Sequence, residues 1–243
     1  MNFYDMYDER ENHLIWSFSG AMLLGYSRHE FLGRMSGLSN GAFISYLLER
    51  GHISEEFVKW NERAKLGMES EEAREIVRKI LRDEIPAQGP THQDDRIYDL
   101  EMIGVSKEKI LNHRPSWWTR WTIRRLYRGL RYPQSHYDLR TVVFLRMAGE
   151  ILVGETYAYV WSELTRRFEL TPEQSRFYYP HYDHDHKRMS ALDSQGHTEV
   201  STDFLKSAII NSETLSAATA AADNAFRIVY QFHNQFLLRY WFL

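Results

Sequence analysis

The chain has no cysteine among its 243 residues. That excludes disulfides, thiolate metal sites and a cysteine nucleophile, and it suits a reducing cytoplasm. Proline and glycine are sparse, at 6 and 13, which leaves little punctuation for a many-stranded sheet. No uncharged apolar run approaches the roughly 20 residues of a membrane span. The opening "MNFYDMYDERENH" is acidic, and no apolar stretch follows at the distance of a secretion signal. A cytoplasmic protein without a membrane anchor is expected. An excess of one charge is also missing: 30 Lys+Arg against 33 Asp+Glu leave −3, so no global field draws the chain to nucleic acid or membrane. What is present is 43% hydrophobic and 14% aromatic residues, enough for a sizeable core.

The apolar periods are helical. Ala73, Ile76, Val77, Ile80 and Leu81 recur at three- and four-residue spacing, with Ser70 before them and Glu72 and Glu75 in the opening turns. "DEIPAQGPTH" breaks this helix; a second resumes through "QDDRIYDLEMIG", and "SKEKIL" starts another. From 139 to 169 one long helix is expected, apolar all round and therefore central. "TPEQ" at 171–174 reads as a capping-box start, and the last ~45 residues read as one or two further helices. Neither a repeat nor a linker interrupts the chain, so residues 1–243 are expected to form one all-α domain. Segment 114–140 stands apart, with seven arginines against one aspartate and Trp117, Trp118 and Trp121 interleaved.

Three places set metal-binding residue types on buried faces. Glu84 falls near the middle of the face centred on Val77, Ile80 and Leu81, where an isolated carboxylate is costly. His92 lies eight residues on, across the Pro/Gly break, close enough to fold back. Glu84 is either a ligand beside His92 or a helix-end glutamate paired with an arginine. Glu150 is flanked by Ala148, Gly149, Ile151 and Leu152 in the most apolar helix, and its small neighbours leave room for an ion. The alternatives are an ion pair with Arg146, or Glu155, roughly 140° round the axis, as the inward residue. The third place is "HYDHDHKR" at 181–188, where Phe177, His181, His184 or Asp185, Arg188 and Leu192 form one ridge. His181 and Asp185, four apart, reach one ion, unless the stretch is a solvated polar turn. Glutamate, aspartate and histidine without thiolate suit iron or manganese, with zinc as an option.

At these residues the sequence resembles the haem-oxygenase-like di-iron oxidases and oxygenases, in the branch typified by the Chlamydia protein associating with death domains (CADD). The family pattern is an Asp-Glu pair, then Pro-x-His about eight residues on, matched by "DEIPAQGPTH". A central-helix glutamate follows, about thirty residues before His-x-x-x-Asp-x-x-His. Glu150 stands 31 residues before His181, and Asp185 follows. The resemblance implies a seven-helix haem-oxygenase-like (TenA-like) bundle holding one or two non-haem iron ions, with O2 as co-substrate. It implies Glu84, His92, Glu150, His181 and Asp185 as ligands. The last histidine of the pattern falls on Arg188, and His184, one turn back, is the substitute, with His197 a weaker one.

The implied activity is oxidation, desaturation or cleavage of a small or aliphatic organic acid or amine, with an external electron donor. Arg146 or Arg188 would hold a substrate carboxylate. Tyr157, Tyr159, Tyr178 and Tyr179 lie near the expected site, either for chemistry or as packing. Two other functions compete. A haem enzyme would use His13 as its iron ligand. A non-enzymatic interaction protein with a vestigial metal site would work through segment 114–140, whose Arg–Trp stacking also fits a homodimer interface.

Overall fold

The computed structural model describes residues 20, 22–131, 134–183 and 197–240. Among them every regular element is helical. After a short α1 at 22–27 come α2 (Glu30–Arg34) and the long α3 (Asn40–Gly67). Next are α4 (Glu71–Glu84), α5 (His92–Met102), α6 (Lys107–Asn112) and α7 (Trp117–Gly129). The central rod is α8 (Tyr137–Arg146), a π turn (Met147–Ile151) and α9 (Leu152–Phe168). A short α10 (Tyr178–His181), then α11 (His197–Ala208) and α12 (Ser212–Tyr240) complete the order. With α8–α9 counted as one rod, seven of the described helices have 11 residues or more.

Local chemistry sets most boundaries. The Ser70 side chain accepts the Ala73 N–H and opens α4, while Thr91 and Asp94 cap each other across the first turn of α5. "TPEQ" makes its capping box, but the helix does not propagate: Pro172–Gln174 is a single 3-10 turn. The helix expected over 139–169 runs without a break from Tyr137 to Phe168, but its hydrogen-bond pattern is interrupted, since the Leu152 N–H reaches back five residues to the Met147 carbonyl. α12 packs against α7, α8 and the π turn. Its buried Ala217, Ala218, Ala221, Ala222 and Ala225 let it approach α8 closely. α3 lies on α4 and α7, and α11 covers α4 and α8. On α7, Trp117, Trp118 and Trp121 contact one another and Arg125 covers Trp121 at 4.6 Å, so this Arg–Trp stacking is internal to one helix. Trp117 and Trp118 stay exposed.

The core also buries a cluster of polar groups that satisfy one another. His233 on α12 is enclosed by Tyr26, Tyr46 and His29. Its Nδ1 lies 3.0 Å from the Val229 carbonyl, so Nδ1–H donates there, and the Tyr46 hydroxyl donates to Nε2 at 3.1 Å. The Tyr26 hydroxyl, 3.1 Å from Nδ1, donates to Thr156 Oγ1 at 2.7 Å; the Thr156 hydroxyl in turn donates to the Leu152 carbonyl. Burial pushes the His233 imidazole well below its ordinary range and both tyrosines upward. The cluster is neutral and closed.

Candidate metal centre

The Glu84–His92 pair is assembled by two helix ends. Val77, Ile80 and Leu81 hold one face of α4 in the core, and Glu84, its last residue, continues that face. Pro86, Gly89 and Pro90 then turn the chain. Gly89 takes φ +100°, a value suited to glycine. The Thr91 cap starts α5 so that His92 is its first residue. His92 Nδ1 ends 3.0 Å from Glu84 Oε2. The glutamate therefore meets the histidine, rather than an arginine.

The same face of α5 locates the third residue. Asp99 is seven residues beyond His92, two turns along one face. Its buried carboxylate accepts the Ser175 hydroxyl at 2.6 Å and the N–H groups of Arg176, Phe177 and Tyr178 at 2.7, 3.0 and 3.0 Å. These are the donors a helix start leaves unsatisfied. Asp99 thereby clamps the start of α10, whose last residue is His181. The His181 ring packs on Phe177 and Tyr157 at centroid distances of 4.2 and 5.3 Å. Its Nδ1 is 2.7 Å from the Phe177 carbonyl. Nδ1–H donates there, which leaves the lone pair on Nε2, the arrangement typical of a metal-binding imidazole.

Glu84, His92 and His181 each offer a ligand atom, and these atoms lie within 4.8 Å of one another. Atoms that share one ion at about 2 Å are ~3–4 Å apart, so small side-chain adjustments bring all three onto a common centre. The His92 and His181 rings meet edge to face at 4.8 Å. One carboxylate and two imidazoles, with no sulfur, fit iron, manganese or zinc.

The three line a cavity of about 520 Å³ that Glu150 also lines. Glu150 sits in the π turn and is buried; such turns recur at functional sites. Glu155 is buried as well, but near Tyr26 and Tyr159 and away from the cavity wall. The space beside Gly149 is filled by Phe57: a Cβ there would come within 2.3 Å of the Phe57 ring. Apolar wall is supplied by Ile53, Phe57, Val58, Ile80, Ala148 and Val153, and further charge by Arg50, Glu55, Lys59, Asp83 and Arg96. Arg146 is buried but does not line the cavity, contrary to its expected role with a substrate carboxylate. Tyr157 lines it, whereas the Tyr159 hydroxyl donates to the Ser27 carbonyl elsewhere.

His184, Asp185 and Arg188 lie outside the described residues, as does His13. Two described residues escape sequence reasoning. Asp99 looks like any polar helix residue until α10 is seen against it. Arg50 falls in "LLERGH", a stretch with no apolar period to mark it.

No protein-family model matches the chain, and no curated protein matches it. Solved structures do. A CADD-like protein of unknown function from Nostoc punctiforme aligns with a TM-score of 0.73 at 15% identity, over 96% of this chain and 99% of that one. A domain of unknown function with a haem oxygenase-like fold from Shewanella denitrificans gives 0.68 at 16% identity, covering 97% and 94%. A TenA homologue from Pseudomonas syringae pv. tomato gives 0.68 at 14%, covering 94% and 93%. Likeness at such identity concerns the course of the backbone, and function is argued from the site. In its fold, the chain is an all-α protein of the haem-oxygenase-like type.

Proposed function

We propose that the chain is an O2-dependent oxidoreductase with non-haem iron that oxidises, desaturates or cleaves a small or aliphatic organic acid or amine. The observation that carries this reading is the convergence of Glu84, His92 and His181 on the wall of an apolar cavity that Glu150 shares. Iron bound there would supply the activation of O2. Glu84 contributes negative charge, and His92 and His181 contribute neutral nitrogen donors. The Phe177 carbonyl fixes the His181 tautomer. Glu150 is the proposed central-helix ligand. Ile53, Phe57 and Val153 keep water from a C–H or N–H bond placed beside the cluster.

The proposal extends to Asp185, as a ligand at the family spacing, and to His184 as the sixth. A guanidinium stays protonated and has no lone pair to give. Arg188, in the place of the expected histidine, therefore favours one well-held ion over two. The electron donor is an external partner, and neither nucleic acid nor membrane takes part.

The test is the iron content of protein purified without a histidine tag, with an optical spectrum recorded as O2 is added to the ferrous form. Stoichiometric iron, lost in Glu84→Ala, His92→Ala and His181→Ala, supports the reading. Iron-free protein that none of these variants alters removes it, and a Soret band would turn the assignment to haem.

A further inference from the structure

Cations and carboxylates share the cavity wall, Arg50, Lys59 and Arg96 with Glu55, Asp83, Glu84 and Glu150, but not every one of them is paired. Arg96 enters from α5 and lies against Gly51 of α3, where a Cβ would come within 2.1 Å of its Nη1. It reaches Glu55, whose other oxygen faces His52. Arg50, one turn from Ser54 on α3, differs. It is only 8% exposed, yet it lines the cavity. One N–H donates to Ser54 Oγ at 3.0 Å, and its Cζ lies 5.5 Å from the centroid of the Tyr157 ring. No carboxylate pairs with it among the described residues. The neighbouring Glu49 is taken by the Ser116 N–H, the Thr119 hydroxyl and Arg239, and Glu55 by Arg96 and His52.

A guanidinium cannot escape burial by losing its proton. An ion pair or a neutral residue would lower the cost of this position, and neither is found there. No described carboxylate is bonded to Arg50, although Asp83, Glu84 and Glu150 line the same cavity, and the guanidinium borders a space of ligand size, about 520 Å³.

We propose that Arg50 anchors the carboxylate of a ligand, and that the ligand is an apolar carboxylic acid rather than an amine. This rests on the reading of the cavity as the substrate site and narrows it. The planar guanidinium offers a carboxylate two parallel N–H donors, Ser54 adds a hydroxyl, and the same cation repels an ammonium at this end of the cavity, Glu84 and Glu150 being committed, on the proposed reading, to the metal. The aliphatic part then lies along Ile53, Val58, Ile80 and Val153. Tyr157 touches both Arg50 and His181, so the carboxylate and the Glu84–His92–His181 cluster flank one ring. With the carboxylate held by Arg50, the rest of the molecule faces the cluster.

The experiment is calorimetric titration of the full chain, as purified and after iron loading, with octanoate, octylamine and octan-1-ol, and with straight-chain acids of about four to twelve carbons. Octanoate or another of these acids is expected to bind and to raise the unfolding temperature, and octylamine is expected not to bind. Arg50→Met should weaken carboxylate binding about 30-fold or more while leaving the unfolding temperature unchanged or higher, because an unpaired buried cation is removed. Arg50→Lys keeps the charge but loses the fork, and should weaken binding about tenfold; it serves if the methionine variant does not fold. Failure of every acid to bind, amine binding as tight as acid binding, or undiminished binding in the Arg50 variants overturns the proposal. Iron uptake by the wild type and by His181→Ala separates it from the oxidase reading. Arg50-dependent acid binding in wild-type protein that never takes up iron leaves this proposal standing and removes the oxidase, whereas loss of iron with acid binding retained in His181→Ala leaves both standing. Iron uptake without acid binding removes this proposal and leaves the oxidase.

Discussion

Two clusters of histidine and tyrosine lie in this bundle, built from adjacent positions on the same helices. Thr156 of α9 belongs to the closed group around His233, and Tyr157, the next residue, lines the cavity. On α3, Tyr46 donates to His233, and Arg50, one turn on, faces the cavity. In the closed group each ring nitrogen and hydroxyl has a protein partner. In the other, two imidazoles, the carboxylates of Glu84 and Glu150 and the Arg50 guanidinium are among the groups that border about 520 Å³ of space. The difference teaches that residue type alone does not mark a site. Buried polar groups satisfied by one another stabilise a fold, whereas groups gathered around a void are disposed toward a ligand.

The comparison breaks most visibly at His233. Truncating it to alanine removes a fully buried ring and orphans the Tyr46 hydroxyl, at a cost of about 3–5 kcal/mol. Urea unfolding should show that loss, with iron uptake per folded chain unchanged. His181→Ala should do the opposite, abolishing iron uptake while the unfolding midpoint of the metal-free protein moves little. If both variants lose stability and metal together, the two clusters are one.

Asp99 tests the boundary between the two roles, since it is sealed like the first cluster and serves the second. Asp99→Ala should cost about 2–4 kcal/mol through the orphaned N–H groups at the start of α10. It should also weaken iron binding about 10- to 100-fold by releasing His181. Metal affinity at wild-type strength in this variant would show that α10 holds its place without the clamp.

Glu150 and Glu155 sharpen the comparison on one helix. Glu150→Ala should reduce iron affinity at least about tenfold, as loss of a charged ligand does. Glu155→Ala should leave it within about twofold while altering stability, because that side chain neighbours Tyr26 and Tyr159 rather than the cavity. Equal effects on affinity would place both carboxylates in one site.

The smallest effect is in pH. Burial holds the His233 imidazole well below its ordinary range, and the nearby His29 and Arg50 push the same way. His29 is itself lowered by burial. In the unfolded chain both titrate near about 6.5. Below that value the unfolded state takes up protons that the folded state refuses, so stability is fully present above it and lost as the pH falls. The urea midpoint should decline from pH 7 toward 5, and His233→Gln should flatten the decline. An unchanged slope in that variant would assign the acid sensitivity to other groups.

Much of the architecture follows from the amino-acid order alone, because helix periods and caps are settled among residues about four apart or fewer. Ser70 and Thr91 mark their helices, the Pro/Gly break lets Glu84 and His92 approach, and the all-α class follows from the periods. The long α3 leaves no such mark. Tyr46 through Gly51 are all buried, so no polar face alternates with an apolar one. The clamp of Asp99 on α10, the π turn under Glu150 and the isolation of Arg50 were decided by tertiary structure. Each depends on contacts between segments remote in sequence, such as the 76–79 residues between Asp99 and its partners. Such contacts come into being only when the bundle closes, and whether a buried group ends beside a partner or a void is settled at that step.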